Sequence, residues 1–415
     1  MRRLILPVWI FFLLSLNHVS AQDSPSEVSQ NSSSKHREFT WITGDRSTWE
    51  ILRSCLITLL ACTWTVLHLN IPAPEEHEWA LIKRKFKWMA ITVISPEITC
   101  SMALRQWVES RTTLKEMKQL GLDWSRVHGF YAGMGGYVLN HRGMQIPLVV
   151  PEIISLLKIT SKDGERPFSL PPLTREDIED RSKAGDIGKL FAGVQIGWLI
   201  LQCIARAGYH LPISQLEIST VAFGVCTIIA YGFWWNKPMD IKMTTPVFYD
   251  GELPPTINTE SKGWNDRKER RRVKMTTRMI TRGSQKSMFF NLVLPLFSIS
   301  TLFGSIHLIA WNFDFVDPSD RLIWRSCSLI ASLMPIPIAC SLQIASIWDP
   351  AARRDSRQGK SAPELAALVV CCYFLSIIAY ICARLLLMFQ VFYCLRLLPV
   401  GTFRSVPWIQ YIPHV

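Results

Sequence analysis

One carboxylate in this sequence lies where a charge is energetically unfavourable. Glu97 follows Pro96 inside the apolar run 86–107, FKWMAITVISPEITCSMALRQW. An ionisable side chain at membrane depth costs roughly 3 kcal/mol or more unless it has a partner, which makes it a functional candidate. Glu97 is therefore either an intramembrane acid or proton carrier, or a structural carboxylic acid that bonds backbone groups freed by Pro96. Arg105 and Arg384 are the potential partners, and a Glu97–Arg384 pair would favour the structural interpretation.

His128 is the second candidate for acid–base catalysis. It precedes the glycine-rich stretch 129–136, GFYAGMGG, which lacks the Lys-Ser/Thr of a phosphate-binding loop. The stretch predicts close backbone packing or a re-entrant turn. A lone histidine is also commonly a hydrogen-bonded structural residue, so both interpretations of His128 stay open.

Two glutamines and two arginines are candidates for lining a substrate cavity. Gln195, Gln202 and Arg206 are spaced i, i+7 and i+11, which puts them on one helix face, and Arg384 lies inside the last apolar run. The alternative for the first three is hydrogen bonding between helices. We expect no metal site and no cofactor, because no Cys/His cluster has zinc spacing. Most of the eleven cysteines lie in apolar runs, where a free thiol behaves as a small hydrophobe.

The elements that must hold these residues are membrane helices. Of the 415 residues 49% are hydrophobic and 19% charged, a lower charged share than the roughly 25% of soluble domains. The pattern predicts an all-α fold, a polytopic transmembrane helix bundle of about 6–8 membrane segments with a small helical subdomain. Besides the Glu97 run, the apolar runs long enough to cross a bilayer are 49–69, 190–207, 218–235, 288–311, 323–348 and 365–395.

The chain divides into an N-terminal leader and a membrane part. Residues 1–21 predict a signal peptide, with an uncleaved signal anchor as the alternative. Residues 22–47 predict a disordered extracytoplasmic tail, in which Asn31 begins a glycosylation sequon. The remaining divisions are the first membrane segments at 48–110, an amphipathic helical region at 111–188, and the main bundle at 189–415 with a basic cytoplasmic loop at 236–287.

Loop charges predict the side of the membrane on which each connection lies. The connections at 83–87, 236–287 and 349–364 are basic and predict the cytoplasmic side, whereas 312–322 is acidic and predicts the lumenal side. The formal charge of +12 is explained by these loops, which attract anionic lipid, and we expect no nucleic-acid partner.

These sides agree with one another only if one membrane segment is irregular. Either 86–103 is re-entrant and turns at Pro96, or 128–159 contains an additional crossing interrupted by Asn140-His141-Arg142. We keep both alternatives. Within the subdomain, Thr174 followed by Arg-Glu-Asp predicts the start of a helix, with Thr174 as N-cap.

Several motifs together resemble a known group of proteins. They are CTWTVLHLNIP at 62–72, SPE to RQW at 95–107, HGFYAGMGG at 128–136, LQCIAR at 201–206, LEISTVAFG at 216–224, YGFWWNKP at 231–238 and WIQYIPHV at 408–415. The joint pattern is similar to that of a large group of fungal multi-pass membrane proteins and covers most of the chain from about residue 49. The resemblance implies a fungal polytopic membrane protein and implies no activity.

Three classes of function fit these observations. The first hypothesis is a membrane-embedded enzyme of specialised metabolism, in which Glu97 protonates a lipophilic prenylated or terpenoid substrate in a cyclase-like reaction. The second is a transporter for a small molecule or ion with Glu97 as the proton-coupling group. The third is a receptor or scaffold. In each case the expected partners are a lipophilic small molecule or membrane lipids, and the location is the endomembrane system or plasma membrane; the oligomeric state is open.

Overall fold

The computed structural model describes residues 36–41, 46–72, 76–159, 167–182, 186–257, 293–347 and 363–406, and every structural statement below concerns these residues. Several predictions fall outside them, namely the signal peptide at 1–21, Asn31, most of the 22–47 tail, the basic block within 258–292, most of the 349–364 loop and the motif at 408–415.

Most of the described chain is helical, which confirms the all-α class. The helices are α1 (Thr48–Thr65), α2 (Glu78–Ile94), α3 (Pro96–Gln119), α4 (Arg126–Gly133), α5 (Val150–Leu157), α6 (Arg175–Asp180), α7 (Asp186–Gly208), α8 (Gln215–Trp234), α9 (Leu294–His307), α10 (Pro318–Leu333), α11 (Pro335–Ile347) and α12 (Pro363–Tyr393). The strands are β1 (His36–Glu38), β2 (Tyr137–His141), β3 (Met144–Pro147), β4 (Thr245–Phe248) and β5 (Leu397–Pro399).

Five segments of the described chain are long and apolar enough to cross a membrane. They are Gly188–Gly208, Gln215–Trp234, Leu294–Asn312, Pro318–Ile344 and Ala367–Arg396, and they coincide with five of the six predicted apolar runs. The sixth run is α1. Because α1 lies along α8, it belongs to the same bundle.

Helix α8 is the reference for the first half of the bundle, because α1 and α3 both run parallel to it. Just before α1, Arg46 is paired with Glu217 at the start of α8, and the hydroxyls of Thr65 and Tyr231 meet at the other end, 2.5 Å apart. Helix α3 follows the same direction: Cys100 Sγ donates to the Cys226 carbonyl, and further along Gln106 accepts from Trp234.

The chain reverses direction between α2 and α3. Ser95 has a non-helical backbone (φ −143°, ψ 78°), and the hydroxyls of Thr92 and Thr99 are 2.8 Å apart. In one continuous helix, residues seven apart are separated by roughly 10 Å, so the two helices form a hairpin. The start of α2 lies near the end of α8, where Lys85 is 3.5 Å from Asp240. The hairpin therefore enters and leaves from one end of the bundle, as the re-entrant alternative requires.

The small subdomain is attached at that same end, which we call the subdomain end. Strands β2, β3 and β4 form a sheet in the order β3-β2-β4, with β2 antiparallel to β3 and parallel to β4. Helices α4, α5 and α6 pack with this sheet around a core that includes Tyr131, Leu139 and Ile153. At α6, Thr174 accepts a hydrogen bond from the Asp177 backbone, which confirms the predicted N-cap. Its hydrogen bonds hold the pKa of Asp177 below the usual range.

The alternative of an additional crossing at 128–159 is wrong. This stretch forms the eight-residue helices α4 and α5 with a β-hairpin between them. Eight helical residues extend about 12 Å, far less than the roughly 30 Å of a bilayer core. Arg142 and Gly143, which interrupt the apolar pattern, both have positive φ and form the two-residue turn. These strands were not predicted from the sequence.

The second half of the bundle returns the chain to the opposite end, which we call the β1–β5 end. Helix α9 leads to the start of α10, where Trp324 donates to the His307 carbonyl. Helices α10 and α11 run back, joined through Met334, whose backbone is itself helical. Helix α12 then returns, so that Gln390 donates to the Asp320 carbonyl. Strand β5 then pairs antiparallel with β1. Both described termini thus lie at the β1–β5 end.

Close helix packing in this half depends on a glycine. A Cβ at Gly304 of α9 would lie 2.6 Å from the carbonyl carbon of Ala331 and the amide nitrogen of Ser332 on α10. Backbone atoms cannot move aside as a flexible side chain can, so only glycine permits this approach.

Candidate functional site

The strongest candidate site is the break between α2 and α3, inside the bundle. Glu97 lies in the first turn of α3 and is 3% exposed. Pro96 occupies the first turn as well, where its missing N–H leaves no helical hydrogen bond unmade. A carboxylate at a helix N-terminus is stabilised by the helix dipole, so the start of α3 is a favourable place for Glu97.

Arg384 of α12 reaches this break and contacts both helices. Its Nη2 donates to the Ile94 carbonyl over 2.9 Å, in the last turn of α2, and lies 3.7 Å from Glu97 Oε2. The guanidinium also stacks 3.8 Å above the ring of Phe303. Of the two partners considered from sequence for Glu97, the fold brings Arg384 to it, and this is the pairing that favours a structural role for the carboxylate. The cation meets the negative end of α2, and the anion meets the positive end of α3.

Tyr380 completes the cluster, one helical turn from Arg384. Its hydroxyl donates to Glu97 Oε1 over 2.8 Å. The second oxygen of the carboxylate, Oε2, is buried and accepts no hydrogen bond, because Arg384 is beyond hydrogen-bonding distance. One oxygen of the carboxylate therefore has no hydrogen-bond donor among the described residues. We call Glu97, Tyr380 and Arg384 the break cluster.

His128 lies in the subdomain and apart from the break cluster. Its ring nitrogens contact the Ser125 hydroxyl and the Leu173 carbonyl, each at 2.8 Å, which are the contacts of a structural residue. Gly129 packs against Ser110 of α3, and from Glu97 to Ser110 the helix extends roughly 20 Å. A joint role of His128 and Glu97 in one reaction has no support in this geometry.

The proposed cavity residues of α7 also lie away from Arg384. Gln195 and Gln202 are half-buried on α7, which packs on α1 and α8, whereas α12 packs mainly on α10 and α11. Arg206 is 1% exposed and donates to the carbonyls of Pro212, Gly401, Thr402 and Arg404. It holds the segment after β5 against the α7–α8 turn, so the contacts of Arg206 are structural.

Three of the sequence motifs meet at the subdomain end. Lys237 is 2% exposed; its Nζ donates to the His68 carbonyl and, over 2.7 Å, to Gln106 Oε1, and lies above the Trp234 ring. His68 is buried, with Nδ1 2.8 Å from the Val66 carbonyl. Burial, together with the charges of nearby lysines, lowers the pKa of His68 well below its usual value. The motifs therefore serve packing between α1, α3 and α8.

No group of three His, Cys, Asp or Glu side chains in the described part of the chain is arranged to hold a metal ion. Tyr380 and Phe303 also lie at the break and were not predicted from the sequence. The i, i+4 spacing of Tyr380 and Arg384 was the available signal for the first; Phe303 carried none, since it is one of twenty phenylalanines.

Comparison with known proteins gave one match. A family model described as "Family of unknown function (DUF8562)" matches residues 24–258, more than half of the chain. The matched part includes Glu97, His128 and the subdomain, and it ends before α9 to α12, which supply Phe303, Tyr380 and Arg384. No curated protein and no solved structure matches the chain.

Proposed function

The chain belongs to this family of unknown function, DUF8562, and we propose that it is a membrane transporter that couples a small organic anion to a proton at the break cluster. The observation that carries the proposal is the meeting of two helix ends and an acid–base pair inside the bundle. Transporters commonly bind solutes and coupling ions where discontinuous helices end near the middle of the membrane.

The coupling would use the two charges in turn. With Glu97 ionised, Arg384 has an anionic neighbour within the protein. When Glu97 takes up a proton, at the buried Oε2 that accepts no hydrogen bond, this neighbour becomes neutral. Arg384 and the positive end of α3 then attract an anion from outside, because a guanidinium binds carboxylates and phosphates well. One proton and one anionic charge would thus enter the site together.

We infer the orientation in the membrane from the loop charges. We propose that the subdomain end faces the cytoplasm, because the basic segment at 83–87 and the connection after α8 are at this end. The acidic 312–322 segment, with Asp317 and Asp320 near Arg396, lies at the β1–β5 end. With six traverses and a re-entrant hairpin, the described termini in β1 and after β5 would face the outer or lumenal side.

The acid-catalysis hypothesis is the second candidate. One observation favours it, the hydroxyl of Tyr380, through which a proton could reach Glu97. Against it, an acid catalyst must present a proton to its substrate, whereas Glu97 accepts a hydrogen bond and faces a guanidinium. We therefore place transport first and a cyclase-like reaction second.

Uptake by proteoliposomes tests the proposal. Radiolabelled malate, citrate and inorganic phosphate are supplied outside, with lysine and glucose as solutes of other charge, and the outside is made acidic. We expect proton-driven uptake of at least one anion by wild type and not by Glu97→Gln. Glu109→Gln is the matched control, because Glu109 is on the same helix in an i, i+4 pair with the partly exposed Arg105. It should transport as wild type does.

Two results would reject transport. One is the absence of proton-driven uptake of all three anions by wild type; the other is equal uptake by wild type and Glu97→Gln. In parallel, microsomes containing the protein are incubated with prenylated phenols. A cyclised product that disappears in Glu97→Gln would establish the enzyme instead.

A further inference from the structure

Two neighbouring thiols on α12 are exposed on the surface of the bundle. Among the described residues the exposed cysteines are Cys340, Cys371, Cys372 and Cys382, and only Cys371 and Cys372 are adjacent in sequence. Consecutive helix residues point about 100° apart, so both can be exposed only where a wide face of the helix is uncovered. Helix α12 offers such a face, since only 11% of its most apolar stretch is buried inside the protein.

The surroundings of these thiols are those of a surface facing lipid. Leu368, Phe374 and Leu375 are 57–67% exposed on the same stretch of helix. No described helix covers them, and an apolar helix face of a bundle is covered by lipid.

The depth of the two thiols in the membrane can be derived from the position of Arg384 on the same helix. Arg384 reaches Glu97, and Cys100, one turn further along α3, is level with Cys226 near the middle of α8. From Arg384 to Cys372 the helix extends about 18 Å toward the subdomain end. Half of a bilayer core is about 15 Å, so Cys371 and Cys372 lie close to the boundary between hydrocarbon and headgroups. Cys382, only two residues from Arg384, lies deep in the hydrocarbon.

We propose that Cys371 and Cys372 are sites of S-acylation by long-chain fatty acids at the cytoplasmic membrane surface. The site rests on the orientation given above and is independent of transport. Cysteines next to the cytoplasmic boundary of a membrane helix are the usual acceptors of this modification. An exposed thiol at this depth can meet a membrane-bound acyltransferase, and the attached chain can enter the lipid beside α12 without displacing protein atoms.

The reaction is a transfer of one thioester to another. The cysteine sulfur attacks the carbonyl carbon of a fatty acyl thioester, such as acyl-coenzyme A or the acylated transferase. A new sulfur–carbon bond forms, the donor's sulfur–carbon bond breaks, and the proton of the cysteine goes to the departing thiol. No oxidant or reductant takes part. The attached fatty acyl chain would hold α12 against lipid, one to two helical turns from the membrane surface. This is the helix that supplies Tyr380 and Arg384 to the break cluster.

Acyl exchange on the full-length protein in yeast microsomes tests the proposal. Free thiols are blocked under denaturing conditions, thioesters are cleaved with neutral hydroxylamine, and the new thiols are tagged with a polyethylene glycol maleimide. Wild type should shift by one or two tags only when hydroxylamine is present. Cys382→Ser should keep the shift, and the double variant Cys371→Ser with Cys372→Ser should lose one or two tags.

The outcomes separate this proposal from the proposed transport. No hydroxylamine-dependent shift in wild type, or an undiminished shift in the double variant, would overturn it. A shift lost equally in Cys382→Ser would also overturn it, because the depth argument would then be wrong. All variants are compared at equal amounts of monodisperse protein, and anion uptake by the wild type is scored in its own assay.

Discussion

The hydroxyl of Tyr380 donates a hydrogen bond to Glu97 Oε1 over 2.8 Å and so joins α12 to the start of α3. Four residues later, Arg384 bonds the end of α2. Helix α12 is otherwise packed mainly on α10 and α11. These two side chains therefore provide polar contacts between the last long helix and the α2–α3 hairpin, and a change in the charge of Glu97 would alter the contacts of α12.

Removing one member of the buried pair should destabilise the protein more than removing both. Arg384→Met leaves Glu97 buried beside no cation, which we expect to lower the free energy of unfolding by about 3–5 kcal/mol. Adding Glu97→Gln removes the remaining charge and should restore about 1–3 kcal/mol of this loss. Unfolding in detergent micelles measures both. Arg396→Met is the control, since its pairs are partly exposed and contribute about 1 kcal/mol or less. Additive losses would contradict the pairing.

The α2–α3 hairpin makes a prediction about sidedness. His77, just before α2, and Asp123, just after α3, are both exposed and lie at the subdomain end of the bundle. In sealed microsomes, His77→Cys and Asp123→Cys should therefore react alike with a membrane-impermeant maleimide, and Ser319→Cys at the start of α10 should behave in the opposite way. Unmodified protein gives the background from the natural cysteines. Labelling of His77→Cys and Asp123→Cys from opposite sides would show that 86–119 crosses the membrane.

Gly304 should be intolerant of a single methyl group. The Cβ of Gly304→Ala would meet backbone atoms of α10 at 2.6 Å, so the helices must move apart, at a loss of about 1–3 kcal/mol of stability. Gly197→Ala is the matched control, because no atom lies within 4 Å of its Cβ position. It should gain up to about 1 kcal/mol from helix propensity. Melting temperatures that rank the two variants in the reverse order would refute the close contact.

His68 should make the fold sensitive to mild acid. Burial lowers the pKa of His68 below the usual 6.5, so the unfolded chain binds more protons than the folded one as the pH falls. The stability that neutral His68 provides is therefore present above about pH 6.5 and is lost below it, with a limiting slope of roughly 1.4 kcal/mol per pH unit. Unfolding between pH 7.5 and 5 should show a steeper loss in wild type than in His68→Gln. Equal slopes would show that His68 does not titrate with folding.

The bundle could be predicted from sequence because lipid imposes a simple pattern. Apolar runs of about 20 residues can only be helices there, and the five apolar segments of the structure coincide with predicted runs. The turn at Ser95–Pro96 and the N-cap at Thr174 were also readable, since proline and threonine have local effects that do not depend on the rest of the fold.

The sheet and the contents of the break depended on contacts distant in sequence. Strand β4 is added beside β2 from more than one hundred residues further along the chain, and no local pattern announces that pairing. Residues 137–147 are apolar because they contribute to the core of the subdomain. In the sequence of a membrane protein, such an apolar stretch resembles a short membrane span. Phe303 and Tyr380 meet Glu97 only through the packing of α9 and α12, so their roles needed the three-dimensional structure.

The pairing of β1 with β5 joins segments from nearly opposite ends of the chain. Such a contact cannot form until synthesis of the last helix is complete, however early the first helices enter the membrane. Arg206 also completes its hydrogen bonds late, because the carbonyls of Gly401 and Thr402 that accept them are synthesised after β5. The β1 edge therefore stays unpaired until residues 397–399 have been synthesised, and a nascent chain that stops short of residue 397 leaves this edge open to other strands.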